Sequence, residues 1–261
     1  DDWSHVAGYM GNPVIETPNI DALAEQSLIF DQAFCTTPSC AASRANILSG
    51  RYSHQHGQYG HCHGYHGFRT HTHVRTLPAM LKDAGVKSGL IGKDHIAPQH
   101  VYPFDYDVRC NPWQTETLTE ATADFMNLVD DQPFYLQVAS LFPHRVGGGF
   151  SQDVPGGRLP EMTFYDPNDV IVPDFLPDHP DVRQDLADYY NFVTRYDDFV
   201  GRVFRELEKA GRLDDTLVMV TTDHGLPFPG AKASSFDTGH NCPLLIRSPK
   251  GQSAGQHTDA L

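Results

Sequence analysis

Three short apolar runs in this chain each stop at a cluster of charged or imidazole side chains. Residues 86–91 lead into Gly92-Lys93-Asp94-His95, residues 134–141 into Pro143-His144-Arg145, and residues 216–222 into Asp223-His224-Gly225. A fourth apolar run covers 243–246, bounded by Pro243. Helical patterns alternate with these runs. Thr17-Pro18-Asn19 reads as a cap and first turn, followed by Ile20, Leu23, Ala24 and Leu28 on one face. Residues 43–49 read as a short helix stopped by Gly50, and residues 76–84 as another. Leu186, Val193, Val200 and Leu207 recur every seven residues along a long amphipathic helix that ends at Gly211. Strands alternating with helices predict an α/β fold with a large, mostly parallel central sheet flanked by helices. In such sheets the carboxyl ends of the strands converge on one crevice. The clusters at 92–95, 143–145 and 223–225 are therefore expected to meet, with Asp1-Asp2 as a fourth group.

The bulk properties exclude some classes of function. No run of about 18 apolar residues occurs, so no membrane span is expected. The 19 basic and 33 acidic residues give a net charge of −14, which argues against nucleic acid as a partner. An anionic substrate then needs a locally positive pocket made by a metal ion or by inward-facing Lys and Arg. Five cysteines are too few for a disulfide scaffold at 261 residues, and they leave the compartment open. The Pro-, Gly- and Asp-rich stretch 147–180 shows little periodicity and is expected to be a long surface loop near the site. The chain opens on Asp1-Asp2-Trp3 without Met or a leading apolar strand, so the expectation is a chain lacking its natural N-terminus.

Carboxylates gathered at strand ends suit a hard divalent cation such as Ca²⁺ or Mg²⁺. Each motif alone reads more often as a turn or a solvated pair, and their combination carries the expectation. Cys40 precedes the helix at 43–49, whose free N–H groups and dipole favour an anion, and Arg44 lies one turn in. From spacing alone, Cys40 reads as a small buried apolar residue, like most free cysteines. The segment 54–73 holds seven histidines: His54, His56, His61, His63, His66, His71 and His73. Zinc or nickel suits such a set, but no Cys-x-x-Cys pair accompanies it, and a loop at a pocket rim is the preferred reading. Cys62, Cys110 and Cys242 read as ordinary free thiols, and Cys35 as a buried bystander at a strand end.

Cys40-Ala-Ala-Ser-Arg44-Ala-Asn-Ile-Leu48-Ser-Gly50-Arg51 resembles the sulfatase signature C-x-P-S-R-x-x-x-L-T-G-R, with Ala42 in place of Pro and Ser49 in place of Thr. Thr17-Pro-Asn-Ile-Asp-Ala-Leu-Ala, Gly92-Lys-Asp-His95, Pro143-His144-Arg145 and Thr222-Asp-His-Gly225 follow in the family's order. The resemblance covers essentially the whole chain and implies an alkaline-phosphatase-like sandwich. A closer likeness is to the sulfamidases, the N-sulfoglucosamine sulfohydrolases of heparan sulfate breakdown. It is carried by 74–78, 84–93, 101–105, 165–173 and 225–229.

The resemblance implies that Cys40 is oxidised to formylglycine, whose hydrate is the nucleophile. A formylglycine-generating enzyme is then a partner during maturation. Asp1, Asp2, Cys40 and Asp223 would hold one Ca²⁺, with His224 lining the site where many members carry Asn. Arg44 would stabilise the hydrate, and Lys93 and Lys232 would bind sulfate oxygens. His95 would be the base for hydrate collapse and His144 the acid for the leaving group. His54, His66 and Arg145 are candidate substrate contacts. The expected substrate is a sulfated saccharide, with the N-sulfate of glucosamine preferred. An O-sulfatase, a phosphomonoester or phosphonate hydrolase of the same superfamily, and an unmatured metal-binding protein are the rival readings. A homodimer and an extracytoplasmic setting accord with the resemblance. Residues 1–261 would form a catalytic domain without its first strand and its C-terminal subdomain.

Overall fold

The structure, a computed structural model, describes residues 1–160 and 163–260. Helix α1 spans Pro18–Ala24, strand β1 Leu28–Phe30, α2 Cys40–Ser49, α3 Ser53–His56 and α4 Leu77–Asp83. Strand β2 (Lys87–Gly92), β3 (Tyr106–Val108), α5 (Thr115–Val129) and β4 (Phe134–Ala139) follow. The hairpin β5 (Asp153–Val154) and β6 (Gly157–Arg158) precedes the 30-residue helix α6, Pro180–Lys209. The described chain closes with β7 (Val218–Thr221), α7 (Asp237–His240), β8 (Leu244–Arg247) and β9 (Gln256–Thr258).

The α/β class holds, but the strands are divided among three small sheets in place of one large parallel sheet. β3-β2-β4 is wholly parallel, and β7-β8-β1-β9 is mixed, with β8 antiparallel to both neighbours. The connections explain this. A parallel return needs a long crossover, which α5 supplies ahead of β4. Between β7 and β8 the only helix is the four-residue α7, and the strand comes back antiparallel.

The apolar stripe of α6 builds the core. Leu186, Val193, Val200 and Leu207 are all buried, and α6 packs against α1 and α5. Phe142, Phe150, Phe192 and Trp113 meet edge to face in this core. The stretch 147–180 therefore contributes more than a surface loop: Phe150, Val154, Leu159, Tyr165 and Val170 are buried anchors within it.

The expected cap of α1 works differently from the reading above. Thr17 makes no capping bond; its hydroxyl accepts from Gly8 N–H and donates to Asp21. The free N–H groups of Asn19 and Ile20 donate instead to Asp197 of α6. α2 also starts earlier than expected, at Cys40 itself, with Ser39 as its N-cap.

Candidate active site

The parallel pairing of β2 with β4 sets Gly92 beside Ala139, and Lys93 N–H continues the ladder to the Ala139 carbonyl at 2.9 Å. Gly92 turns the chain here at φ 84°, and a Cβ on it would run into the Ala139 carbonyl. Lys93 thus leaves the end of β2 pointed inward and buried. β7 delivers Asp223 and His224 in the same way. Gly225 then lets the chain pass the backbone of Thr238, where no side chain fits. Asp1 and Asp2 are fixed by the wholly buried Trp3, whose indole N–H donates to the Val6 carbonyl. Tyr189 of α6 donates its hydroxyl to the Asp2 carbonyl at 3.0 Å, and Asp2 sits at φ 52°. A non-glycine residue in that region is strained, and here the packing around it sustains the strain.

Four ligand-bearing side chains meet at one point. Oxygens of Asp1 and Asp2, Cys40 Sγ and a ring nitrogen of His224 all lie within 4.8 Å of one another, and all four residues are buried. His224 Nε2 stands 3.0 Å from Asp2 Oδ1, 3.2 Å from Cys40 Sγ and 3.5 Å from Asp223 Oδ1. Around this centre Arg44 Nε binds Asp223 Oδ2 at 2.8 Å, and its Nη1 donates to the Lys93 carbonyl. Lys93 pairs with Asp1, and Lys232 pairs with Asp2 at 2.8 Å. Every carboxylate of the centre therefore has a cation beside it, which offsets the penalty of burying charge.

Two oxygens stand out. Asp1 Oδ1 and Asp223 Oδ1 are buried without a hydrogen-bond partner among the described residues. Orphaned carboxylate oxygens aimed into one cluster are what a hard cation requires, so the donor set fits Ca²⁺. His224 is the softer member of the set. Although burial works against it, the Arg44 guanidinium and His224 hold the Asp223 carboxyl well below the usual carboxylate range. Burial likewise pushes the Cys40 thiol up, yet Lys93 and hydrogen bonds with His144, His224 and His95 draw it well below its ordinary value. An anion at position 40 is thus favoured by its surroundings. The first turn of α2 adds its free N–H groups.

Ala42 lies in that first turn, fully buried. Its N–H belongs to the set that has no intrahelical acceptor, so a proline at this position would remove no intrahelical hydrogen bond. Ser49 donates its hydroxyl to the Ala45 carbonyl at 2.6 Å.

Cys40, Arg44, Lys93, His95, His144, Asp223, His224, Lys232 and the Asp1-Asp2 pair are brought together. His144 Nδ1 donates to the Arg145 carbonyl at 2.6 Å, and Nε2 reaches 4.0 Å from Asp1 Oδ2. Arg145 has other employment. It pairs bidentately with Asp185, donates to the Pro227 carbonyl and lies 4.6 Å from the Phe150 and Phe228 rings. His54 is exposed and stacked on Tyr52, with no hydrogen bond or ring contact to the centre among the described residues. His66 is exposed at the edge of His61. Cys35 is partly exposed, and its sulfur meets the Cys242 thiol.

Asn46, Thr36, Thr37 and Ser53, which the sequence did not single out, form the support together with His56. Asn46 accepts from the Ser53 hydroxyl and from His56 Nε2, and its amide donates to Thr36 and Thr37. This network fixes the loop before Cys40 to the helix that bears it. No spacing in the sequence marks it, because its members come from three separate elements.

The architecture is shared with solved structures. The chain superposes on the phosphonate monoester hydrolase of Silicibacter pomeroyi with a TM-score of 0.78 at 20% identity, covering 100% of this chain and 68% of that one. A protein solved in complex with its substrate D-glucosamine-2-N,6-O-disulfate gives a TM-score of 0.72 at 20% identity, covering 100% of this chain and 72% of that one. Residues 1–261 match the sulfatase family model, and the chain belongs to the sulfatase family. It is 41% identical over 273 residues to human N-sulphoglucosamine sulphohydrolase, covering 96% of this chain and 54% of that protein. An ulvan-active sulfatase of Formosa agariphila is 26% identical over 279 residues, with 92% of this chain and 44% of that protein covered. The chain spans about half the length of the curated relatives it matches.

Proposed function

We propose that the protein removes sulfate from a sulfated saccharide, with the N-sulfate of glucosamine as the preferred group. The observation that carries this reading is the meeting of Cys40, at the start of α2, with Asp1, Asp2 and His224. The choice of sugar follows the human relative. Residues 1–261 are read as a sulfatase catalytic domain, acting in an extracytoplasmic compartment where such glycans are found.

Asp1, Asp2 and Asp223 would hold Ca²⁺ with His224 beside them, and the bound ion would polarise a sulfate oxygen and acidify a hydroxyl at position 40. Cys40 would carry the formylglycine made by a generating enzyme, and that group would supply the hydroxyl nucleophile toward sulfur and the route by which sulfate leaves. Lys93 and Lys232, which neutralise Asp1 and Asp2, are the cations available to sulfate oxygens as charge develops on them. Arg44 holds Asp223 in place and adds positive charge beside position 40. His144 serves as the acid for the leaving amine: its Nδ1–H is committed to the Arg145 carbonyl, so Nε2 carries the exchangeable proton. His95 serves as the base, since its ring stands beside Cys40, within reach of a proton at position 40.

The test compares rates of the full-length protein on a sulfamate, an aryl sulfate and an aryl phosphate. Highest kcat/KM on the sulfamate is expected. A clear preference for the phosphate would overturn the assignment, and intact-peptide mass spectrometry over residues 36–51 showing only an unmodified thiol would overturn the nucleophile.

A further inference from the structure

The seven histidines between 54 and 73 separate into distinct groups in the structure. His56 is buried and bound to Asn46, His54 stacks on Tyr52, and His71 and His73 stack on each other at 5.6 Å. His61 and His63 do something else. Their rings lie 5.0 Å apart, and both turn towards His95, at 5.9 and 5.2 Å between ring centroids. One ring nitrogen from each of His61, His63 and His95 falls within 4.8 Å of the other two. Two of these rings have an orphaned atom: His61 Nδ1 and His95 Nδ1 are buried without a hydrogen-bond partner among the described residues. An imidazole nitrogen buried and unpaired is uncommon, and two of them on three converging rings call for a shared ligand.

We propose that His61, His63 and His95 form a second metal site, for a zinc-class transition-metal dication, beside Cys40 and distinct from the carboxylate centre. The donor sets separate the two sites chemically. Three neutral imidazoles suit zinc, cobalt or nickel, whereas the carboxylate set of Asp1, Asp2 and Asp223 suits a hard ion. Nitrogens bound at about 2.05 Å to a tetrahedral ion lie about 3.3 Å apart, so the three rings close by small side-chain rotations. His63 is exposed and free to make them. Burial, then the neighbouring imidazoles of His95, His63 and His66, lower the His61 pKa against the opposing pull of Cys40, which keeps the ring in its neutral, ligating form.

The site has a functional consequence that rests on the reading above. His95 belongs both to this triad and to the side chains hydrogen-bonded to Cys40. A zinc ion bound to one ring nitrogen of His95 confines the ring's proton to the other, so the imidazole has no lone pair left to take a proton, and zinc is an inhibitor that acts by withholding the base.

The test uses full-length protein kept in excess Ca²⁺ and equilibrated with Zn²⁺ or Co²⁺. One zinc per chain retained at low micromolar free metal is expected by elemental analysis. With Co²⁺, visible absorption bands of a low-coordinate nitrogen site are expected. His63→Ala, an exposed and mild change, should weaken metal affinity at least ~10-fold, since losing even a residue behind a ligand commonly costs 10–100-fold. His61→Ala should do the same, while turnover without zinc stays unchanged in both. Zinc inhibition should weaken by the same factor as binding. No zinc retained by the wild type, or equal retention by wild type and both variants, overturns the site. Zinc retained through His61 and His63 with turnover unaffected overturns the role given to His95. Absence of any sulfamidase turnover would sink the proposed function and leave the metal measurement readable by itself.

Discussion

Arg44 shows how much one side chain settles at the residue scale. Its guanidinium joins Asp223, on the strand end of β7, to the backbone of Lys93, on the strand end of β2. Lysine in its place keeps the charge but cannot span both partners from a planar fork. Arg44→Lys is expected to lower kcat on the sulfamate by about 10²–10³, the scale of losing one fixed electrostatic donor. Steady-state kinetics with KM little changed would agree; a kcat within threefold of the wild type would not.

His56 gives a pH-dependent prediction at the same scale. Its Nε2–H donates to Asn46, so Nδ1 accepts the Gln58 N–H at 3.1 Å, and the ring is neutral in the fold. Burial, with the added charge of His71 and Arg51, lowers its pKa below 6.5. The unfolded chain therefore takes up the proton first as pH falls. The stabilisation is complete above about pH 6.5 and is lost progressively as pH drops through the folded value. Chemical denaturation between pH 7.5 and 5.5 should show wild-type stability falling more steeply than that of His56→Gln, which does not titrate there. Parallel slopes would contradict the assignment.

At the scale of elements, helix α1 depends on α6 for its start. Asp197 accepts from the N–H groups of Asn19 and Ile20 and from the Asn19 side chain at 2.6 Å. Burial pushes this carboxyl up, opposed by those same donors, so its net contribution is smaller than its bond count suggests. Asp197→Ala leaves two helix N–H groups buried without an acceptor and should destabilise by about 2 kcal/mol. For a domain of this size that lowers Tm by roughly 4–8 °C. Calorimetry showing no shift would mean that another group caps α1. Thr17-Pro18 correctly marked where the helix begins, yet the capping group lies about 180 residues away and left no local sign. α5 went unread for another reason. Its apolar positions, Leu118, Ala121, Phe125 and Met126, are interleaved with threonines that the core also buries, such as Thr122. The pattern is weak until α6 is packed against it.

At the scale of the whole molecule, the centre is where three carboxylates from opposite ends of the chain are forced together. Asp1 Oδ1 and Asp223 Oδ1 are buried without a hydrogen-bond partner among the described residues, and the cation proposed for this centre would satisfy both. Chelation should therefore lower Tm, by roughly 5–10 °C when Ca²⁺ had been present at about 100 times its Kd. Differential scanning fluorimetry with Ca²⁺ and with a chelator measures this without any turnover assay. An unchanged Tm would mean that Lys93, Lys232 and Arg44 alone neutralise the site.

The sequence by itself determined the α/β class and the four residues of the α6 stripe, because those depend on local periodicity; Cys40 and Lys232 were expected at the centre only through the resemblance to the sulfatases, since spacing alone made Cys40 a buried apolar residue. Tertiary structure decided what these groups do to one another. Cys40 and His224 touch across 184 positions, and Lys232 reaches Asp2 across 230. Arg145 was legible as a residue beside His144, but only the fold could commit it to Asp185 and two aromatic rings. The histidine-rich segment shows the division most clearly. Its composition was read as a loop at a pocket rim, because His95, towards which the rings of His61 and His63 turn, comes from a strand end outside that segment. Spacing along a chain records contacts within an element; it holds no record of which strand ends a sheet brings together.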